Sequence, residues 1–330
     1  MAFPVNIFTK LLITTLALLS QAVMLSGVQA QPYPAKPVRL IVPATPGAAT
    51  DVVARLVAES LGERLGVAVI VDNRGGAAGV IGTELAARSA ANGYTLMFAY
   101  QDPTILIPLL KKVPYSMETD FAPVAKVADL HYVIVANAKF AAKTLKELVD
   151  IAKAQPDRVK FSSAGNGGIN HLAMELLQQR AGMKLMHIPY KGIAAATTGL
   201  LAGDVDVLAA APLVVAKAIK DGQLRGLAIT QDMRSAMLPS VPTASESGFP
   251  GFVMSAYLGI VAPAGVPQKI VEDLSAHVVA LASAEEFRRR LTALGVDPGP
   301  MGREEFARFL SSESRLWREV IERGGIKLEE

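Results

Sequence analysis

The chain has 330 residues, with 33 Lys and Arg against 30 Asp and Glu, a formal net charge of +3, and 51% of it is hydrophobic. Such a length buries a large core and divides readily into two domains, while near-balanced charge without a basic block argues against a nucleic-acid partner. There is no cysteine, which excludes a disulfide framework, a thiolate nucleophile and a Cys-based metal site.

The first segment reads as a targeting sequence. Lys10 precedes the apolar run LLITTLALLSQAVMLSGV, and Val28-Gln29-Ala30 offers an A-x-A-like cleavage site. Residues 1–30 are therefore expected to form a secretory signal peptide, with Gln31 the first mature residue. Leu11 to Val28 approaches the length of a membrane anchor, but Ser20, Gln21 and the cleavage site oppose retention. No Cys follows to carry a lipid, and no other apolar run is long enough to span.

After the extended, proline-rich PYPAKP comes the stretch around which the chain is organised, VRLIVPATPGAATDVVARLVAESL. Leu40-Ile41-Val42 is too short for a helix and reads as a buried strand; Pro43, Pro46 and Gly47 break it. Val52, Val53, Leu56, Val57 and Leu61 then fall at helical spacing, with Thr50 or Asp51 placed as N-cap. The helix N-terminus opens at the carboxyl end of the strand, where free N–H groups and the helix dipole favour an anion. Gly47, Ala48 and Ala49 would let a ligand approach the backbone.

Next, Val67 to Val71 reads as a second strand, and Gly75, Gly76, Gly79 and Gly82 form a loose series that is simplest read as close packing of loop and helix on the sheet. A helix through Thr83 to Ser89 and a strand Tyr94 to Ala99 follow. The end of that strand presents Tyr100-Gln101-Asp102-Pro103, a candidate selectivity loop because open α/β sheets bind ligands at strand ends. Val124–Val127 and Tyr132–Val135, broken by Asp129, read as the first crossing between lobes, and an amphipathic helix from Lys143 to Ala154 stops at Pro156.

A second strand–loop–helix unit lies in VKFSSAGNGGINHLAMELLQQ: strand Val159 to Ser163, loop Ala164 to Gly168, then a helix with Leu172, Ala173, Leu176 and Leu177 on one face. Two such units facing each other would hold one small anion between two helix N-termini. A strand at Leu185 to Ile188, the loop Pro189-Tyr190-Lys191-Gly192, a short helix to Gly203 and strands at Val205 to Ala209 and Leu224 to Thr230 complete this part. Phe252 to Val261 returns the chain to the first lobe. Two helices close it, one bearing Ile270, Val271, Leu274, Val278 and Leu281, the other running from Arg303 to Arg323 with the single Trp317 as a core residue.

No catalytic set assembles. Gly165-Asn166-Gly167-Gly168-Ile169-Asn170 departs from the dinucleotide spacing at Asn170 and lacks the later acidic residue. The four histidines (His131, His171, His187, His277) show no metal spacing. There is no G-x-S-x-G, and Lys191 lacks signs of the burial that Schiff-base chemistry needs.

The segments YPAKPVRLIVPATPGAATD, VIVDNRGGAAGVIG, NGYTL, DFAPVAKVA, SSAGNGGINHLA, HIPYKG, LRGLAIT, LPSVPTASESGFPGF and GIVAPAGVP, in this order, resemble the Bug family, the periplasmic receptors of tripartite tricarboxylate transporters. The resemblance implies an α/β, two-lobe periplasmic-binding-protein-like fold (type II-like) with two interdomain crossings and a ligand cleft between the lobes. It also implies a carboxylate held mostly by main-chain amides and water from two facing loops. Departures fall at Ala44 and Ala48 in the first loop, Gly168 in the second, and Tyr100-Gln101-Asp102-Pro103. Others are Ala209-Ala210-Ala211-Pro212, where an acidic residue is common, and Tyr257 in place of a Trp.

The reading is thus a non-enzymatic, monomeric periplasmic receptor without cofactor or metal, which passes a small organic carboxylate to membrane transporter subunits of the tripartite tricarboxylate type. A sensor for such a ligand and an exported enzyme acting on one are the alternatives. Residues 31–129 and 254–330 are expected to form lobe 1 and 130–253 lobe 2. The expected ligand-binding residues are Ala44, Thr45, Gly47, Ala48, Ala49 and Asp51; Tyr100 and Gln101; Ala164, Gly165, Asn166, Gly167, Gly168 and His171; and Tyr190 and Ala210.

Overall fold

The computed structural model describes residues 33–326; the expected signal peptide and its cleavage site lie outside them. The chain first alternates strand and helix through β1 (Val38–Val42), α1 (Ala49–Leu65), β2 (Val69–Asn73), α2 (Val80–Ala87), β3 (Thr95–Tyr100), α3 (Ile107–Leu110) and the long β4 (Phe121–His131). It continues through β5 (Val133–Asn137), α4 (Leu145–Ala154), β6 (Lys160–Ser163), α5 (Ile169–Ala181), β7 (Met186–Pro189), α6 (Ile193–Ala202), β8 (Val207–Ala210), α7 (Pro212–Lys220) and β9 (Leu224–Ile229). The last elements are β10 (Ser255–Pro263), α8 (Gln268–Ser283), α9 (Glu285–Ala293), β11 (Asp297–Met301) and α10 (Arg303–Gly324).

The strands form two open sheets, of order β11-β4-β10-β3-β1-β2 and β7-β6-β8-β5-β9. In the first, β1 runs parallel to β2 and β3, while β10 runs antiparallel to β3 and β4. In the second, β6 is parallel to β7 and β8, and β5 is antiparallel to β8 and β9. β10 is buried from Ala256 to Pro263, and α1 turns Val53, Val57 and Leu61, each fully buried, onto the first sheet's core. Among the described residues no helix is long and apolar enough to cross a membrane.

The chain passes between the sheets twice. The first passage is one residue long: β4 ends at His131, β5 begins at Val133, and only Tyr132 stands between. Thr230, just beyond β9 and fully buried, ties both passages together. Its Oγ1 accepts from Tyr132 N at 2.9 Å and lies within donating distance of Tyr132 O (3.1 Å) and Met254 O (2.7 Å). Its own backbone donates to Tyr132 O at 2.9 Å and accepts from Met254 N at 2.8 Å.

Several boundaries differ from the sequence reading. β2 starts at Val69, because Gly66 turns the chain with φ 69 and the strand takes its parallel register from Val38 opposite Val69. Asp129 does not break β4: it sits between partners on β10 and β11, and its carboxylate accepts from the buried Lys126 Nζ at 2.5 Å. Helices α7 and α9 and strand β11 went unread, although Pro212 at the start of α7 is a known helix-initiating signal. Trp317 is 2% exposed and donates to Glu313 Oε2 at 3.1 Å, a core residue as expected.

Candidate functional site

A cavity of about 450 Å³ lies where loops of both sheets meet, within the range of small-molecule sites. From the first sheet its wall takes Pro43, Ala44 and Thr45 after β1, Ala48 to Thr50 at the start of α1, Gly75 to Gly79 after β2, and Tyr100 and Asp102 after β3. From the second it takes Ala164, Gly165, Asn166, Gly168 and the head of α5, Lys191 to Ile193 at the head of α6, and Ala211 and Val214 at α7. Leu130 of β4, Tyr132 between β4 and β5, and Ala256 and Leu258 of β10 complete the wall. Helices α1, α5, α6 and α7 thus present their N-termini to one space at the carboxyl ends of strands. Their N-cap residues, Ala48, Gly168, Gly192 and Ala211, place no side-chain oxygen on the helix amides. First-turn N–H groups lack intrahelical acceptors, and with the helix dipoles they favour an anion.

The first loop is held from behind by Asp51. The sequence reading offered Thr50 or Asp51 as N-cap; the helix instead starts at Ala49, and Asp51 reaches back from its first turn. Its carboxylate accepts from Gly47 N (2.8 Å), Arg55 Nε (3.1 Å) and Asn73 Nδ2 (2.9 Å). Burial works to raise its pKa, but these donors outweigh it and hold the group below its ordinary value. Gly47, at φ 80, makes the turn, and Tyr100 OH donates to Pro43 O at 2.7 Å to brace the loop.

The second loop has its own support. Gly167 N donates to His171 Nδ1 at 3.1 Å, and the His171 ring stacks on His187 with centroids 3.9 Å apart and planes 9° from parallel. Ser163 Oγ lies 2.6 Å from His187 Nε2 and accepts from Gly165 N at 3.2 Å. A Ser–His contact can signal a nucleophile and its base. Here Ser163 is fully buried, and neither residue belongs to the cavity wall, so the pair orders the loop.

Of the expected ligand-binding residues, the structure brings together Ala44, Thr45, Ala48, Ala49, Tyr100, Ala164, Gly165, Asn166 and Gly168 in one wall. It places the others outside it. Asp51 and His171 are spent on their loops, and Gly47 and Gly167 make turns at φ 80 and 77. Gln101 points away and donates to Glu313 Oε2 at 2.9 Å. Tyr190 packs its ring on α6, where a Cβ on Gly199 would come within 2.3 Å of its hydroxyl. Ala210 is buried in β8, and its neighbour Ala211 takes the wall position. Tyr257, noted as a family departure, is fully buried behind the wall and hydrogen-bonded to Thr104.

Two wall features lie beyond the expected ligand-binding residues: the glycine series after β2, and Asp102 of the candidate selectivity loop. The glycine series does serve close packing, since a Cβ on Gly82 would stand 2.4 Å from Arg74 O, but Gly75 to Gly79 also face the cavity. There Gly76, Ala77, Ala78 and Gly79 run through φ values of 114, 49, 56 and 91, and the two alanines carry left-handed strain. The other feature is Asp102, whose Oδ1 accepts from Ile169 N at 3.1 Å across the cavity. Burial lifts its carboxyl from 3.8 to about 7, against the opposing effect of that N–H.

Comparison with known proteins agrees with this architecture. A family model described as the tripartite tricarboxylate transporter family receptor matches residues 53–326. Protein BugT of Bordetella pertussis is 36% identical over 322 residues, 97% of this chain and 99% of the relative. Rpa4515 of Rhodopseudomonas palustris, solved with adipate, is 28% identical with TM-score 0.83, covering 89% of this chain and 99% of that one. MatC of the same species, solved with bound malate, is 28% identical with TM-score 0.77, covering 88% and 100%. With two open α/β sheets, a cavity between their loops and these likenesses, the chain belongs to the Bug-type tripartite tricarboxylate transporter receptor family.

Proposed function

We propose that this protein is a solute receptor that closes on a small organic carboxylate without chemical turnover and delivers it to a tripartite tricarboxylate-type membrane transporter. The observation that carries this reading is the meeting, around one cavity, of α1 from the first sheet and α5, α6 and α7 from the second, all with N-termini toward the space. Amide donors at helix heads hold a carboxylate without a bidentate Arg clamp. The adipate and malate held by two relatives support the same ligand class.

On this reading residues 31–129 with 254–330 form one lobe and 130–253 the other, and Tyr132 and Thr230 sit at the hinge. Ala44, Thr45, Ala48, Ala49, Tyr100, Ala164, Gly165, Asn166 and Gly168 contact the ligand, while Asp51, Gly47, Gly167 and His171 hold the contacting loops in shape. The chain acts as a monomer in the periplasm after cleavage behind Ala30.

A thermal-shift screen with mono-, di- and aromatic carboxylates tests the proposal. A ligand present at a hundred times its Kd stabilises by roughly 2.7 kcal/mol, several degrees in melting temperature. Consumption of a bound carboxylate would transfer the protein to the enzymes.

A further inference from the structure

The cavity wall holds one carboxylate, Asp102, and no basic side chain among the described residues pairs with it. Its Oδ1 takes the Ile169 N–H, whereas Oδ2 has no hydrogen-bond partner among the described residues. Oδ2 lies beside Gly168, 3.1 Å from where a Cβ on that glycine would stand. The nearby phenol of Tyr100 does not serve it, being committed to Pro43 O. Tyr132 is 5% exposed, lines the same cavity, and its hydroxyl has no partner among the described residues. Lys191, the one cationic residue in the wall, is exposed to solvent. The site therefore carries one unpaired acidic group and an unused buried hydroxyl, with a solvent-exposed lysine in its wall.

Asp102 also takes the Ile169 N–H at the head of α5, a donor that a ligand carboxylate would otherwise use. A ligand carboxylate is left the heads of α1, α6 and α7, with the solvent-exposed Lys191 just before α6. From these placements we infer that the cavity selects a carboxylate that also carries a cationic nitrogen, an amino acid or a betaine, and that Asp102 is the counter-ion of that nitrogen. The inference rests on the receptor reading and names its ligand class. Burial of the Asp102 carboxyl points the same way: a cation beside it relieves the cost of its charge, while a second ligand carboxylate placed there meets a like charge. A hydroxyl donor from Tyr132, whose phenol burial holds well above its ordinary pKa, remains for the ligand's oxygen.

Isothermal titration of the full chain at pH 8 with matched pairs decides the matter: succinate and aspartate, adipate and 2-aminoadipate, butyrate and 4-aminobutyrate. The amine-bearing member of at least one pair is expected to bind tenfold or more tightly than its partner. Asp102→Asn keeps an oxygen for Ile169 N and should bring that ratio to about one. Equal binding within every pair, preference for the amine-free members, or a preference that survives Asp102→Asn would overturn the inference and leave the receptor reading standing. Failure of the wild-type chain to bind any of the six would count against the receptor reading and take this inference with it. The wild-type ratios decide even if Asp102→Asn does not fold.

Discussion

Asp102 and Ile169 come from different sheets and are joined by one hydrogen bond: the carboxyl at the end of β3 accepts from the backbone N–H at the head of α5 at 3.1 Å. An acid of the chain's own thus sits at one of the helix heads that line the cavity. It links the two sheets directly across the cavity. It also makes the wall less uniformly electropositive than four helix N-termini alone would.

That acid should be visible in stability as a function of pH. The folded carboxyl titrates at about 7 against an ordinary value of 3.8, so between these values the folded state binds the proton more strongly. Its contribution to stability is therefore highest at low pH, falls as pH rises from about 4 toward 7, and is then constant. The melting temperature of Asp102→Asn minus that of wild type should increase over this interval and level off above it. A flat difference would mean that the carboxyl is not shifted.

His187 should act in the opposite sense. Burial, and next the charge of the stacked His171, lower its pKa from 6.5 to about 4, with Glu175 opposing. The neutral ring is favoured in the fold, so its contribution is present above pH 6.5 and lost as pH falls toward 4. The charged or titratable groups acting on it are His171, stacked on its ring, and Glu175, which pairs with His171; Ser163 is its hydrogen-bond partner. His187→Gln should show a shallower loss of melting temperature between pH 6.5 and 4.5 than wild type. An equal slope would place the acid sensitivity elsewhere.

Gly47→Val looks at first like a way to obstruct a ligand, but Gly47 is outside the wall, and nothing lies within 4 Å of a Cβ built on it. Its φ of 80 is what matters. A left-handed non-glycine residue costs roughly 1–2 kcal/mol, and a β-branched one more. Gly47→Ala should therefore lower stability by about 1–2 kcal/mol in urea unfolding, with Gly47→Val lower still. Stability unchanged in both would show that the loop does not need this turn.

Thr230→Val removes the hydroxyl that serves both passages between the sheets. The buried Tyr132 N–H loses its acceptor, a loss of about 1–3 kcal/mol for an unsatisfied buried group. Urea unfolding should show that decrease. A decrease below about 0.5 kcal/mol would mean that the hydroxyl is dispensable, less than a typical net hydrogen bond.

Much of the fold was open to sequence reasoning because its signals are local. An apolar triplet, a Pro/Gly break and a helical repeat define β1, the first loop and α1; the same grammar defines β6, the second loop and α5. The wall residues Ala44, Ala48, Ala164 and Gly165 follow from that grammar. What stayed hidden is non-local. Asp102 meets Ile169 67 residues away, and only the packing of β3 against the second sheet's loops makes them neighbours. Gln101 and Asp102 stand side by side in sequence, and the wide helical turn that begins at Asp102 sends one toward α10 and the other into the cavity. Asp51 and His171 lie in the right loops, yet their polar atoms are consumed there.

The central claim is that loops from both sheets grip one carboxylate in this cavity. Its most direct measurement is calorimetric affinity, for whichever carboxylate gives the largest thermal shift, in wild type, Ala48→Leu and Ala164→Leu. These are half-buried wall alanines, one from each sheet. Each substitution should weaken binding at least tenfold, about 1.4 kcal/mol, while the melting temperature of the unliganded protein stays within a few degrees of wild type. Wild-type affinity in both variants would contradict the account.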